Sequence, residues 1–146
     1  EKWSEQLKAL QYIIDIIGPT PKLKPGTETH EILDVCKGFL RQGHVQLQVS
    51  SLRIIGLLAD GLRAEFGPAI RSVSQAVIMK CKEKRLTTDV LFVLTNAIKY
   101  CLGFDSLLDD LCEHIRNKKT PPHGRVCLME FITLTLKESL ERVNAD

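Results

Sequence analysis

Val45-Gln46-Leu47-Gln48-Val49-Ser50-Ser51-Leu52-Arg53-Ile54-Ile55-Gly56-Leu57-Leu58-Ala59-Asp60-Gly61-Leu62-Arg63-Ala64-Glu65-Phe66 is the stretch that decides the fold. Its apolar residues Leu47, Val49, Leu52, Ile54, Ile55, Leu57, Leu58, Ala59 and Leu62 cover most of the circumference of a helix. No apolar run in the chain reaches the ~18–20 residues that a membrane span requires. Such a helix therefore packs against protein on several sides. Gly67-Pro68 closes it and opens the next helix, with the proline at a first-turn position where its missing N–H costs nothing.

On the N-terminal side, Trp3, Leu7, Leu10, Ile14 and Ile17, with Ile13 beside them, form one stripe at alternating steps of four and three. That amphipathic helix stops at Gly18-Pro19. Residues 18–27, rich in proline, glycine and lysine, read as a long surface connection. A second helix is predicted from about Glu28 to Arg41, burying Ile32, Val35, Cys36, Phe39 and Leu40 and broken at Gln42-Gly43-His44.

On the C-terminal side, a helix burying Ile70, Val73, Val77 and Cys81 runs into the basic segment 80–85. A further helix from about Thr87 to Cys101 carries Val90, Leu91, Leu94, Ala97, Ile98 and Cys101. Asp105 or Ser106 is placed to cap the next, through Leu108, Leu111, Cys112 and Ile115. Asn117 to Gly124 is a loop by composition. The segment from Arg125 to about Leu140 includes Phe131-Ile132-Thr133-Leu134-Thr135-Leu136, which would suit a strand locally. With no second strand candidate to pair with, it is read as helix.

The interruptions around His44, Arg85 and Thr120 fall about 35–41 residues apart, within or near the period of HEAT-type helical hairpins. A thinner amphipathic helix precedes each break and a strongly apolar one follows it. The expected fold is all-α, an α-solenoid of stacked HEAT-like hairpins in which the middle repeats are the most apolar. Seven helices and the repeat period count against a four-helix bundle.

The chain has 146 residues, 44% apolar and 26% charged, as in an ordinary globular domain, which excludes disordered and low-complexity classes. Residues 1–146 are expected to form one domain of about four repeats. The opening Glu1-Lys2-Trp3-Ser4 has neither an initiator Met nor an apolar signal core and reads as the start of an excised piece. A net charge of +2 places any basic function in local patches. Five cysteines, at 36, 81, 101, 112 and 127, form no C-x-x-C pair, and each falls on an apolar stripe. Reduced, buried thiols are the reading favoured over disulfides or zinc.

Several segments together resemble the TOG domains of the microtubule-polymerase family, the ch-TOG and Mini spindles group, and the second TOG domain above all. They are Lys2-Trp3 with Ala9-Leu10; Gly18-Pro19-Thr20-Pro21-Lys22-Leu23; Gly56-Leu57-Leu58-Ala59-Asp60-Gly61-Leu62-Arg63 with Phe66; Lys82-Glu83-Lys84-Arg85; and Asn117-Lys118-Lys119-Thr120-Pro121. They run in order along nearly the whole chain. The resemblance implies a flat paddle of HEAT repeats that binds unpolymerised αβ-tubulin through its intra-repeat loops. It implies Trp3 in the first loop, His44 and Val45 in the second, Lys84 and Arg85 in the third, and Lys118, Lys119 and Arg125 in the fourth. It also implies a place at microtubules, spindle poles or centrosomes and kinetochores, with other spindle-pole or kinetochore proteins as further partners. Two departures stand out. The second loop lacks the family's Asp-Thr-Asn-Val, and the fourth has gained Pro122-His123-Gly124. The family's full domain has about six repeats, so the chain is expected to be a truncated or short one.

Each site residue also has a plain structural role. A Trp opening an apolar stripe is commonly core, and Lys82, Lys84, Arg85, Lys118 and Lys119 follow helix ends, where cations gain ~0.3–1 kcal/mol against the macrodipole. What favours a binding edge is an aromatic and two basic loops on one side, facing a partner with an acidic surface. The alternative is a TOG-like scaffold for a non-tubulin centrosomal, kinetochore or regulatory protein. Nucleic acid is disfavoured, since the lysines are few and no aromatics interleave with them. Membrane partners, cofactors and catalysis are not expected. Histidines 30, 44, 114 and 123 lack metal spacing, Asp109 and Asp110 point about 100° apart on a helix, and no Ser or Cys lies in an activating context.

Overall fold

In a computed structural model, which describes residues 2–18 and 26–145, the stretch singled out above forms the central helix. The helices are α1 (Lys2–Ile17), α2 (Thr27–Gln42), α3 (Val45–Leu62), α4 (Gly67–Met79), α5 (Thr87–Asn96), α6 (Phe104–Arg116) and α7 (Pro122–Ala145). No strand occurs among the described residues. The predicted connection after Gly18 lies, at residues 19–25, outside them.

α3 packs against α1, α2 and α5, so its near-complete apolar girdle is consumed: Leu47, Leu52, Ile54, Ile55, Leu58, Ala59 and Leu62 are all buried. Gly56 lets α5 come close, because a Cβ there would run into the Phe92 ring. The Asn96 amide donates to the Gly56 carbonyl at 2.9 Å, and the Cys101 thiol to that of Ala59 at 3.4 Å. Arg53 pairs with Asp89 at 3.3 Å. Ascending residues of α3 thus meet ascending residues of α5, so the two helices run parallel. α1, α3 and α5 make one row; α2, α4 and α6 make the other, with α7 seated on α6 and on the turn at Lys80–Lys82. This is the all-α solenoid of stacked hairpins expected from the repeat period.

The differences are local and have physical causes. α2 turns Leu33, Cys36 and Leu40 to the core, so Val35, expected inside, is 49% exposed. The terminal turn of the long third segment tightens into a 3-10 helix at Arg63–Phe66 after Arg63 takes φ 54°, a strained left-handed value for a non-glycine residue. Its guanidinium sits 4.2 Å over the Tyr100 ring and bonds the Asp60 carbonyl at 3.0 Å. The fifth helix widens into a π turn at Ala97–Cys101, closed by Leu102 N–H on the Ala97 carbonyl at 2.8 Å. α6 starts at Phe104 behind Gly103 with no side-chain cap, and Asp105 instead places its charge in the first turn. α7 absorbs its strand-like stretch. Thr133, Thr135 and Ser139 hydroxyls donate to carbonyls one turn back at 2.9, 2.8 and 3.0 Å.

Candidate functional site

The N-terminal ends of α1, α3, α5 and α7 lie along one edge of the stack, and two contacts tie them together. At one end, the Trp3 ring lies flat on His44, centroids 4.6 Å apart and planes 11° from parallel. At the other, the His123 ring bonds the Lys82 carbonyl. The first pair joins the start of α1 to the turn before α3; the second joins the turn before α5 to the start of α7.

The turn before α3 is built from backbone upward. Gly43 N–H donates to Phe39 at 2.7 Å so closely that a Cβ would collide with that carbonyl. His44 is the N-cap of α3, its Nδ1 accepting from Gln46 N–H at 3.2 Å. That fixes the ring plane on which Trp3 stacks. The Gln48 amide donates to the Gly43 carbonyl at 3.1 Å. Val45 is half-buried and packed on the core. Beside the stack opens a groove of about 650 Å³, lined by Trp3, Gln6, Val35, Phe39, His44 and Leu47, with the charges of Lys2 and Asp34. Trp3 itself remains 37% exposed.

The turn before α5 consists of two 3-10 segments, Lys80–Lys82 and Lys84–Leu86, hinged at extended Glu83. Cys81 and Leu86 are its buried anchors, which leaves Lys82, Lys84 and Arg85 outside. Arg85 bonds Glu83 at 3.1 Å and holds that exposed carboxyl below its usual range. Burial, followed by the charge of Lys82, pushes the Lys80 ammonium down.

The turn before α7 is organised by Asn117. Its side chain accepts Lys119 N–H at 2.9 Å, an Asx turn, and its carbonyl accepts Thr120 N–H at 3.0 Å. The same carbonyl accepts Arg125 Nη2 at 2.8 Å. Lys118 and Lys119 are therefore exposed at the turn tip, whereas Arg125 is half-buried and braces it from behind. Gly124 is buried against Cys81, which keeps the third and fourth turns in contact.

Trp3 and His44 thus come together with Val45 at one end of the edge, and Lys84 and Arg85 share the other with the turn of Lys118 and Lys119. Sequence reasoning missed His123, which links two turns, and Asn117, which shapes one. An Asn straight after a helix and before a Lys-Lys-Thr-Pro run is a turn signal for the second. No local signal announces the first, whose partner lies 41 residues away. All five cysteines are free; Cys36 and Cys81 are buried and the other three half-buried. Burial pushes the Cys36 thiol up to about 12 and Cys81 and Cys101 up to about 11. Among the described residues no His/Cys/Asp/Glu group could hold a metal ion, and no helix is long and apolar enough to cross a membrane.

Parallel rows of helical hairpins, with an aromatic and basic loop edge, define a HEAT-like solenoid. No family model matches the chain. It is 27% identical to MOR1 of Arabidopsis thaliana over 141 residues, which is 94% of this chain and 7% of that protein. It is 25% identical to the spindle pole body component alp14 of Schizosaccharomyces pombe over 133 residues, 89% of this chain and 16% of that protein. Centrosomal protein 224 of Dictyostelium discoideum is 24% identical over 123 residues, covering 81% of the chain and 6% of that protein. These similarities over most of the chain support a TOG domain of the kind found in MOR1 and alp14, and the chain spans a small fraction of the length of these relatives.

Proposed function

We propose that the chain is a non-catalytic binding module of a microtubule-associated protein, and that its loop edge takes one αβ-tubulin heterodimer. The observation that carries this reading is that the N-terminal ends of the odd-numbered helices are held on one edge by the Trp3–His44 stack and the His123–Lys82 bond. Relatives named for the centrosome and the spindle pole body support a microtubule-related role and a location at those structures.

In this reading Trp3 and Val45 are the apolar anchors. An aromatic half out of solvent is already ordered, so it contributes area without losing much side-chain freedom on docking. Lys84, Arg85, Lys118 and Lys119 steer an acidic partner, raising the association rate more than the affinity, and do so less at high salt. His44 orients Trp3, and Arg125 shapes the turn that presents the two lysines. Tethering several such edges on one long protein would raise the local tubulin concentration at a microtubule end with no turnover chemistry.

Size-exclusion chromatography with purified αβ-tubulin, at low and physiological salt, tests the proposal. Co-elution that is lost in a Trp3→Ala, Lys84→Glu double variant supports it. No shift at either salt, with helicity intact by circular dichroism, sinks it and leaves a TOG scaffold for a different protein partner.

A further inference from the structure

The chain has two Thr-Pro dipeptides, Thr20-Pro21 and Thr120-Pro121. The second sits in the five-residue turn between α6 and α7, on the basic edge, behind Lys118 and Lys119. Thr120 turns its methyl group inward, toward the position a Gly124 Cβ would occupy, at 3.4 Å. Its hydroxyl is neither buried nor bonded among the described residues. A Ser or Thr followed by Pro in an accessible turn is the minimal feature that proline-directed kinases read.

A second, independent observation concerns where a phosphate would go. Thr120 N–H and Arg125 Nη2 converge on one oxygen, the Asn117 carbonyl, at 3.0 and 2.8 Å. The guanidinium therefore lies within phosphate reach of the Thr120 side chain. Arg125 also keeps a buried Nε–H with no partner, an unmet donor at this spot. A guanidinium with one edge engaged and another N–H unspent is suited to a phosphoryl group. The first turn of the 24-residue α7, begun by Pro122, adds its dipole in the same direction.

We propose that Thr120 is a phosphorylation site for a proline-directed protein kinase, that Arg125 grips the phosphate, and that the modification turns the edge away from acidic partners. The kinase transfers the γ-phosphoryl of ATP: the Thr120 Oγ1–P bond forms, the bond to the β-phosphate oxygen breaks, ADP leaves, and the hydroxyl proton passes to the kinase base. About two negative charges then stand among Lys82, Lys84, Arg85, Lys118, Lys119 and Arg125, where Glu83 is the acidic residue at hand. The phosphate occupies Arg125 and masks the two lysines at the turn tip. The regulatory half of the proposal rests on the reading of this edge as a binding site; the modification half does not.

The test treats the full chain with a cyclin-dependent-class kinase and magnesium ATP, and maps phosphate by peptide mass. Near-stoichiometric modification at Thr120, absent in Thr120→Val, is expected. An unmodified Thr120, under conditions where a Thr-Pro control peptide is fully modified, overturns the site, and mapping the wild-type chain keeps this decisive even if the variant folds poorly. Thermal denaturation reads the grip without any partner. The midpoint should rise on phosphorylation in the wild type and not in Arg125→Gln; an equal change in both overturns Arg125 as the holder. Finally, tubulin co-elution should weaken roughly tenfold on phosphorylation. Unchanged co-elution overturns the switch. If the unmodified chain does not bind tubulin at all, the proposed function falls, while the mass map and the thermal shift still decide the phosphorylation site.

Discussion

The Trp3–His44 stack makes a quantitative demand on stability that separates the two tasks of His44. It caps α3 through Nδ1 and carries the Trp3 ring on its face. Loss of an N-cap costs about 0.5–2 kcal/mol. An aromatic pair contributes about 0.5–1.5 kcal/mol beyond burial. Trp3 is 37% exposed and in the first turn of α1, where fraying weakens contacts, so the stack belongs at the lower end, about 0.5–1 kcal/mol. His44→Asn keeps a competent cap and removes the ring, so it should cost only that stack. His44→Ala should cost the cap in addition, about 1 kcal/mol more. In a Trp3→Ala background, His44→Asn should be close to neutral, because its partner is already gone. Urea denaturation of the wild type, both single variants and the double variant gives the coupling energy. The readout is far-UV circular dichroism, since Trp3 is the only tryptophan and its variants lose the fluorescent probe. A coupling indistinguishable from zero would refute the claim that the stack joins the first two turns in solution.

Other consequences can be checked with the same protein. Leu52→Ala empties a site enclosed by neighbouring helices that cannot collapse, and should lower stability by about 3–5 kcal/mol in urea unfolding, against under about 1 kcal/mol for the 59%-exposed Leu134→Ala. Arg63→Gly should be near neutral, because relief of the φ 54° strain offsets the lost Tyr100 contact, whereas Arg63→Ala keeps the strain and should cost about 1 kcal/mol. Cys36, Cys81 and Cys101 are neutral in both states below their ordinary value of 9.0, so their contribution is intact there. Above it the unfolded thiols ionise first, and each should cost the fold about 1.4 kcal/mol per pH unit until its folded value near 11 or 12 is reached. Denaturation midpoints falling steeply above pH 9, and less so in Cys36→Ala, are the expected result.

The fold was legible because its signals are local. The girdle of Leu52, Ile55 and Leu58, the Gly-Pro breaks and the period of the interruptions each need only a short window. Val35 went astray because α2 offers two adjacent stripes, and the position of α3 decides that Leu33, not Val35, is covered. The edge residues were found through a family resemblance, yet their arrangement was not. Trp3 and His44 are 41 positions apart, and so are Lys82 and His123, so these contacts exist only once the rows have stacked. Arg125 was expected in the fourth binding loop through the resemblance; the Asn117 carbonyl it meets is exposed by an Asx turn that composition alone does not orient. The π turn at Ala97–Cys101 likewise meets α3 only in the stacked fold, where its Cys101 thiol donates to the Ala59 carbonyl.

Hydrogen exchange of the chain with and without αβ-tubulin tests the loop edge most directly, because it reports which backbone amides a partner covers. The account predicts added protection at the start of α1 and in the turns around His44, Lys84 and Lys118, with the opposite ends of the same helices, at Ile17, Phe66 and Leu102, unchanged. Protection confined to those opposite ends, or to the exposed face of α7, with the four turns unaffected, would contradict it.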